Sequence, residues 1–317
     1  MASSPLKSTS GAVGKRRLSI ARREALWGYL FVTPWIIGFI AFSAIPIVWA
    51  FYLSFTDYSM FESPNWVGVD NYKTIVTDDR LFWTTVKNTL YYVIASVPLQ
   101  MGIGLGVALL LNQRIKWVAF WRTAFYLPVM VPYIVSSVLF VWIFEPRVGV
   151  LRYLLDLVNI DSPLWLQSET WSKPAIILLS LWHMGSYMII FLAGLQGVPE
   201  SFYEAASIDG ASAWSKFVNI TIPMLTPVIL YNLVVGIINS FQVFTFAYIM
   251  TQGGPLNSTT FYVYYIYQRG FQFFEMGYAS ALAVILFVTI LLITIALFKW
   301  SNRWTFYEGE SQNGGAR

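Results

Sequence analysis

Residues Glu204–Pro227 read EAASIDGASAWSKFVNITIPMLTP and lie between two long apolar runs. The stretch carries Glu204, Asp209 and Lys216 yet is still rich in Ala, Ile and Phe. That mixture suits short amphipathic helices lying on a membrane surface or docked into a partner. Pro199 is placed to open the first helix and Pro223 to close the second. Between them Gly210 permits a sharp change of direction that a residue with a Cβ resists. Ala205, Ala206 and Ala211 add little bulk, so another protein's backbone has room to approach.

The flanking runs set the class. Of 317 residues, 57% are hydrophobic and only 11% charged, where soluble domains carry about 25% charged residues. The chain is therefore an integral membrane protein. Cysteine is absent, which excludes disulfide frameworks, thiolate metal sites and cysteine nucleophiles. With His183 the only histidine, a histidine-rich metal site is impossible.

Six apolar spans are predicted: Leu26–Phe55, Thr85–Leu111, Ala119–Phe144, Pro174–Leu195, Met224–Met250 and Met276–Trp300. The first is about twice the length of a secretory h-region, so it reads as a retained helix, with Pro34 and Pro46 expected to kink or tilt it. The second contains Gly102, Gly104 and Gly106; inside an apolar helix, with no strand before it, this GxGxG signals close helix packing, not dinucleotide binding. Between the third and fourth, LRYLLDLVNI reads as an interfacial amphipathic helix, and Trp165 and Trp171 fit an aromatic belt. The chain then divides into a basic tail (1–25), a first span with its loop (26–84), a core (85–300) containing the polar segment 199–223, and a final tail (301–317).

Orientation follows from Lys and Arg. Both termini, the 112–117 link and the Glu204 segment share one side, with thirteen basic residues against seven on the other. The fold class expected is all-α, with six transmembrane helices, both termini in the cytoplasm and the Glu204 segment facing the cytoplasm.

The missing chemistry narrows the function. There is no GxxxxGK[ST], GxSxG or HExxH motif, and no acidic pair lies within a span, so neither nucleotide hydrolysis nor intramembrane catalysis is expected. The span interiors are almost free of charge, whereas proton pumps and ion-coupled carriers usually keep an ionisable residue there. A membrane protein without its own energy source, but with a structured segment on its inner face, points to an external motor.

Glu204-Ala205-Ala206, Asp209-Gly210-Ala211, Phe217, Ile220, Pro223 and Pro227 resemble the EAA loop of importer-type ABC permeases, with Ile222 where the family usually has Leu. FLAGLQGVPESFYEAA upstream and MTQGGP downstream resemble the carbohydrate-uptake, maltose-type branch, and the likeness covers roughly Thr85–Trp300. It implies a type I ABC importer permease fold in a prokaryotic inner or plasma membrane, and a subunit that is not itself an enzyme. The implied partners are a second, homologous permease, two cytoplasmic ATPase subunits, an extracytoplasmic solute-binding protein, membrane lipid and a sugar, with no nucleic acid. ATP and Mg belong to the ATPase, and this chain binds no cofactor or metal. By position, Glu204 becomes the polar contact to the ATPase, Ala205 and Ala206 the close-packed face, and Asp209-Gly210 the turn of a coupling helix.

A path for solute is sought among polar residues within the spans. Asn232, Asn239 and Gln242 recur at spacings of seven and three, which places them on one helical face; His183, Ser186 and Tyr187 lie in the fourth span. Amides and a phenol hydrogen-bond hydroxyls, and aromatic rings cover the apolar face of a sugar. Hydrogen bonding between neighbouring helices is the competing role for these side chains. The resemblance supports sugar contacts in spans four and five, with Tyr187 the best single match. A neutral di- or oligosaccharide is favoured over glycerol-phosphate or phosphodiester substrates, which need a cation along the path. From another class, a self-sufficient secondary carrier or channel is the alternative.

Overall fold

The computed structural model describes residues 20–113 and 115–301. Lys7, Lys15, Arg16, Arg17, Arg114, Arg303 and Arg317, used above for orientation, lie outside the described residues. Two compact units divide between Ala50 and Phe51. In the first, α1 (Ile20–Phe39) is followed by a π-helical stretch (Ile40–Ala44) and the start of α2 (Ile45–Leu53). The π stretch ends two residues before Pro46. A proline offers no N–H to the carbonyl four residues back, and the i+5 bond from Ile45 N–H to Ile40 O takes up the altered register.

In the second unit the regular structure among the described residues is helical, apart from isolated bridges at Thr56/Trp66 and Ser59/Glu275. A short helix, α3 (Asp70–Thr77), leads to α4 (Arg80–Leu111), which has Asp79 as its N-cap: Oδ1 accepts the Phe82 N–H at 3.0 Å. The 32 residues of α4 extend about 48 Å at 1.5 Å each, longer than the hydrocarbon layer. Next come α5 (Val118–Met130), α6 (Tyr133–Ile143), α7 (Val150–Asp156), α8 (Ser172–Trp182) and α9 (Gly185–Gln196). After these, α10 (Glu200–Ile208), α11 (Ala213–Lys216) and α12 (Ile222–Phe241) lead through α13 (Tyr262–Tyr267) to α14 (Met276–Ser301).

Among the described residues four helices are long and apolar enough to cross a membrane, and up to six spans result if two bent pairs each count as one. Those pairs interrupt the third and fourth spans predicted from sequence. α5 and α6 meet at 98° and α8 and α9 at 45°. The first break follows from Pro132, which removes a donor and holds Val131 extended (φ −82°, ψ 125°). At the second, Gly185 lies against α5 so closely that a methyl group there would be 2.4 Å from the Phe125 carbonyl oxygen. Trp165, expected in an aromatic belt, is instead buried, its ring packed 5.5 Å from Phe144; α7 does present Tyr153 and Leu154 outward.

α4 is the central post, in contact with α8, α9, α12 and α13. Gly104 lets α9 close on it: an added methyl would lie 2.8 Å from Tyr187 Cβ and 3.1 Å from the Met188 backbone nitrogen. Gly102 and Gly106 have open space where a Cβ would stand, so close packing within this chain falls to Gly104 alone.

Polar residues tie the ends of these helices together. Thr260 Oγ1 donates to Gly253 O at 3.2 Å and Thr259 Oγ1 to Gly254 O at 2.8 Å, closing the 252–260 loop on itself. Asn88 Nδ2 donates to Asn257 O at 2.8 Å, and Lys173 Nζ to Ser258 O at 3.2 Å. Below α13, Asp79 accepts from the hydroxyls of Tyr265 and Tyr278, the latter at 2.5 Å. Arg269 Nε donates to Tyr265 Oη at 2.8 Å while Nη2 stands 3.6 Å from Asp79 Oδ2. Burial pushes the Tyr265 phenol up to about 12, helped by the carboxylate beside it, so it stays protonated as a donor.

Candidate functional site

Two features stand out, a polar chamber among the helices and an exposed double turn at one end of them. The chamber, about 330 Å³, is lined by all five residues singled out for a solute path: His183, Tyr187, Asn232, Asn239 and Gln242. The structure brings them together differently from the one-face reading. Asn232 and Asn239 are on α12, but the helix stops at Phe241 and Gln242 is its C-cap (φ −95°, ψ 15°). The fifth span, predicted to run to Met250, is therefore broken at 242–244 before a π-helical stretch at Ala247–Thr251. Gln242 reaches the chamber from a helix end, where backbone and side chain both offer polar groups.

His183 occupies the break between α8 and α9. Nδ1 lies 3.4 Å from Leu179 O and Nε2 lies 3.2 Å from Ser136 Oγ, whose hydroxyl also donates to Pro132 O at 3.2 Å. The imidazole thus ties the two bent helix pairs together and forms part of the chamber wall through its ring, 4.9 Å from that of Tyr133. By contrast, Tyr187, Asn239 and Gln242 make no side-chain hydrogen bond to another described residue, and Asn232 Nδ2 is buried with no partner although the residue is only 2% exposed. Buried polar groups are normally paired. Several unpaired donors and acceptors around one hollow mark a place where something else supplies the partner.

Sequence reading missed the rest of the wall. Tyr92 and Gln100 from α4, Tyr133 from α6, Phe244 from the 242–244 break and Phe246 just after it also face the chamber. Tyr133 and Phe246 stand edge to face, centroids 5.3 Å apart and planes at 84°. Among the described residues, no Asp, Glu, Lys or Arg lines the chamber. Gln100 was visible as a polar residue within the second span, and Tyr92 and Tyr133 were hidden among the many aromatic residues of an apolar chain.

The second feature is the Glu204 segment. Pro199 is the N-cap of α10, as expected. The helix ends in a turn at Gly210 (φ +74°), where Ala211 N donates to Ala206 O at 2.9 Å. No atom lies within 4 Å of the position a Cβ would take there, so the glycine is required by backbone angle and not by crowding. Ser212 then caps α11, accepting the Ser215 N–H at 3.2 Å. Lys216 Nζ donates to Ser207 Oγ at 2.6 Å, and the Tyr203 and Thr221 hydroxyls are 3.0 Å apart, pinning the two short helices to each other.

Pro223 does not close the second helix. α11 continues through a π-helical stretch (Phe217–Thr221) into α12, giving one helix from Ala213 to Phe241. Ile222 N donates five residues back, and Pro223 falls in the first turn of α12, where a missing donor is tolerated. The short helix is thus the end of a span. Glu204, Ala205, Asp209 and Gly210 are exposed and Ala206 half-buried, and Ile208 and Trp214 stand 87% and 71% exposed beside them.

With both features described, the comparisons with known proteins give the class. Residues 100–307, about two-thirds of the chain, match the family model described as binding-protein-dependent transport system inner membrane component. The chain belongs to that family: it is an inner-membrane permease subunit of an ABC transporter, a transport protein and not an enzyme. It is 44% identical over 306 residues to the probable ABC transporter permease protein YesP of Bacillus subtilis (strain 168), covering 96% of this chain and 99% of that one. It is 32% identical over 282 residues to the trehalose/maltose transport system permease protein MalF of Thermococcus litoralis, covering 87% and 94%. Its fold matches a chain in the crystal structure of a bacterial ABC transporter involved in the import of the acidic polysaccharide alginate. That match has a TM-score of 0.79 and 26% identity and covers 90% of this chain and 98% of that one.

Proposed function

We propose that this chain forms half of the translocation path of an oligosaccharide importer, with the chamber at Tyr187, Asn239 and Gln242 as its sugar-binding stretch. The observation that carries the reading is the set of unpaired amides and phenol around an uncharged, aromatic-walled hollow. Such groups exchange hydrogen bonds with sugar hydroxyls, and the Tyr133–Phe246 wall offers an apolar face to a pyranose ring. Relatives named for arabinooligosaccharides and for trehalose/maltose support a sugar cargo. The absence of a charged group in the lining supports a neutral one.

In the same reading each bent pair crosses the membrane once, which gives six spans, with both termini and the α10–α11 turn in the cytoplasm. That turn is the coupling helix: Glu204 makes the polar contact to an ATPase subunit, and Ala205, Ala206, Asp209 and Gly210 let the two surfaces meet closely. ATP and Mg are held by the ATPase pair. A second, homologous permease completes the path, and a binding protein delivers the sugar, as the relative solved with its periplasmic protein and an alginate pentasaccharide suggests. Because α11 is continuous with α12, movement of the docked turn is passed directly to the helix that holds Asn232 and Asn239.

Uptake of radiolabelled maltotriose, arabinotriose and an alginate trisaccharide by the assembled transporter tests the cargo. A neutral sugar is expected to accumulate; accumulation of the acidic sugar alone overturns the neutral reading. With the accepted sugar, Asn239→Leu and Gln242→Leu are each expected to raise the apparent KM about 3- to 10-fold, the effect of one lost hydrogen bond. Unchanged KM in both removes these side chains from the path.

A further inference from the structure

Tyr187 is held at both ends by glycines that belong to other helices. At its root, a methyl on Gly104 of α4 would stand 2.8 Å from Tyr187 Cβ. At its tip, a methyl on Gly236 of α12 would stand 2.7 Å from the Tyr187 hydroxyl and 3.3 Å from Cε1. Gly236 is buried and helical, with no unusual backbone angle to demand a glycine, and in an apolar helix interior a glycine costs about 1 kcal/mol relative to alanine. What the position lacks is room. The hydroxyl resting there makes no hydrogen bond to a described residue, and Tyr187 is part of the chamber lining.

We infer that Gly236 is a positioning residue for translocation: its missing side chain is the seat of the Tyr187 phenol, and residue 236 thereby sets the bore of the chamber and the reach of that hydroxyl. The inference rests on the chamber reading above. The two glycines act differently. A Cβ at 236 meets the far end of a side chain, the Tyr187 hydroxyl and Cε1, with Val97 Cγ1 at 3.3 Å beside them, so the phenol has to leave its seat. A Cβ at 104 meets Cβ and backbone, so α4 and α9 themselves have to part.

The test is uptake of maltotriose or arabinotriose, whichever the wild-type complex accumulates, with membrane levels measured in parallel. Gly236→Ala is expected to raise the apparent KM at least about 5-fold at normal membrane level. In Gly236→Ala/Tyr187→Phe the 2.7 Å conflict is gone, so its KM is expected to equal that of Tyr187→Phe alone instead of multiplying the two effects. Gly104→Ala is expected to show no such relief from Tyr187→Phe. Wild-type KM in Gly236→Ala, or fully multiplicative effects in the pair, overturns the inference. Should Gly236→Ala fail to reach the membrane, recovery of its level by Tyr187→Phe supports the seat and continued loss refutes it. Failure of the chamber reading looks different: Tyr187→Phe, Asn239→Leu and Gln242→Leu would then all leave KM unchanged.

Discussion

Uptake by a transporter carrying Glu204→Lys together with Gly210→Pro is expected to fall to background, on the order of 100-fold or more, with normal amounts of the chain in the membrane. The two changes act on separate requirements of the coupling proposed for this turn. Gly210 has φ +74°, and proline is confined near −65° and has no N–H. The bond from Gly210 N to Ser207 O is lost and α11 is redirected relative to α10. Glu204→Lys reverses a charge at the proposed contact, where a well-placed interface residue is worth 2 kcal/mol or more, about 30-fold by itself. The exposed setting of both residues is what separates this from a folding defect: nothing packs on Gly210 that the substitution would displace. ATP hydrolysis by the assembled complex should lose its stimulation by sugar-loaded binding protein, and Gly210→Asn should retain most uptake, because asparagine visits the left-handed region more readily than other side chains. Normal uptake in the double variant removes the coupling assignment.

The second large effect is on stability, and it comes from Asp79. This carboxylate caps α4 and accepts from Tyr265 and Tyr278, with the Arg269 guanidinium close by. Asp79→Ala removes a helix cap, worth about 1 kcal/mol, and charge-assisted hydrogen bonds worth about 2 kcal/mol more. A loss of about 3 kcal/mol on thermal unfolding in detergent is expected, against less than half of that for Asp79→Asn, which keeps an acceptor at the cap. The pH dependence has a definite sign. Burial taken alone raises this carboxyl, but the bonds from Tyr265, Tyr278 and the Phe82 N–H, with the Arg269 charge, outweigh it and hold the group below its ordinary 3.8. A group depressed in the folded state stabilises fully above its unfolded pKa and loses that contribution as pH falls through the folded one. Wild-type stability should therefore drop below about pH 4 more steeply than that of Asp79→Asn. Parallel profiles would show that the carboxylate is not the source.

What the sequence disclosed, and what it hid, divides along physical lines. Apolar length located the helices long enough to cross a membrane, four of them outright and two as bent pairs, because the cost of exposing polar groups to lipid disfavours other readings of such runs. Gly210 and the caps at Pro199 and Asp79 act locally, and the first two were legible on that account. The breaks at Val131–Pro132, His183–Met184 and Gln242–Phe244 were not: Pro132 announces one of them, but Gly185 is packed against a helix distant in the chain, and nothing in the local sequence marks Gln242 as a helix end. Pro223 misled for a related reason. A proline reads as a stop, yet a π-helical turn ahead of it lets one helix run on from Ala213 to Phe241. The chamber followed the same pattern. Its amides stood out against an apolar background, while Tyr92, Tyr133 and Phe246 could be recognised only once the fold had brought them to the same chamber as Asn239.

The most direct measurement is solute accumulation in proteoliposomes of defined content. With the companion permease, the ATPase pair and the binding protein present, the accepted sugar should build up against its gradient only when ATP is supplied, and omission of any of these components should abolish it. Were this chain by itself to concentrate the sugar without nucleotide, it would be a self-sufficient carrier, and the half-conduit driven from the Glu204 turn would be contradicted.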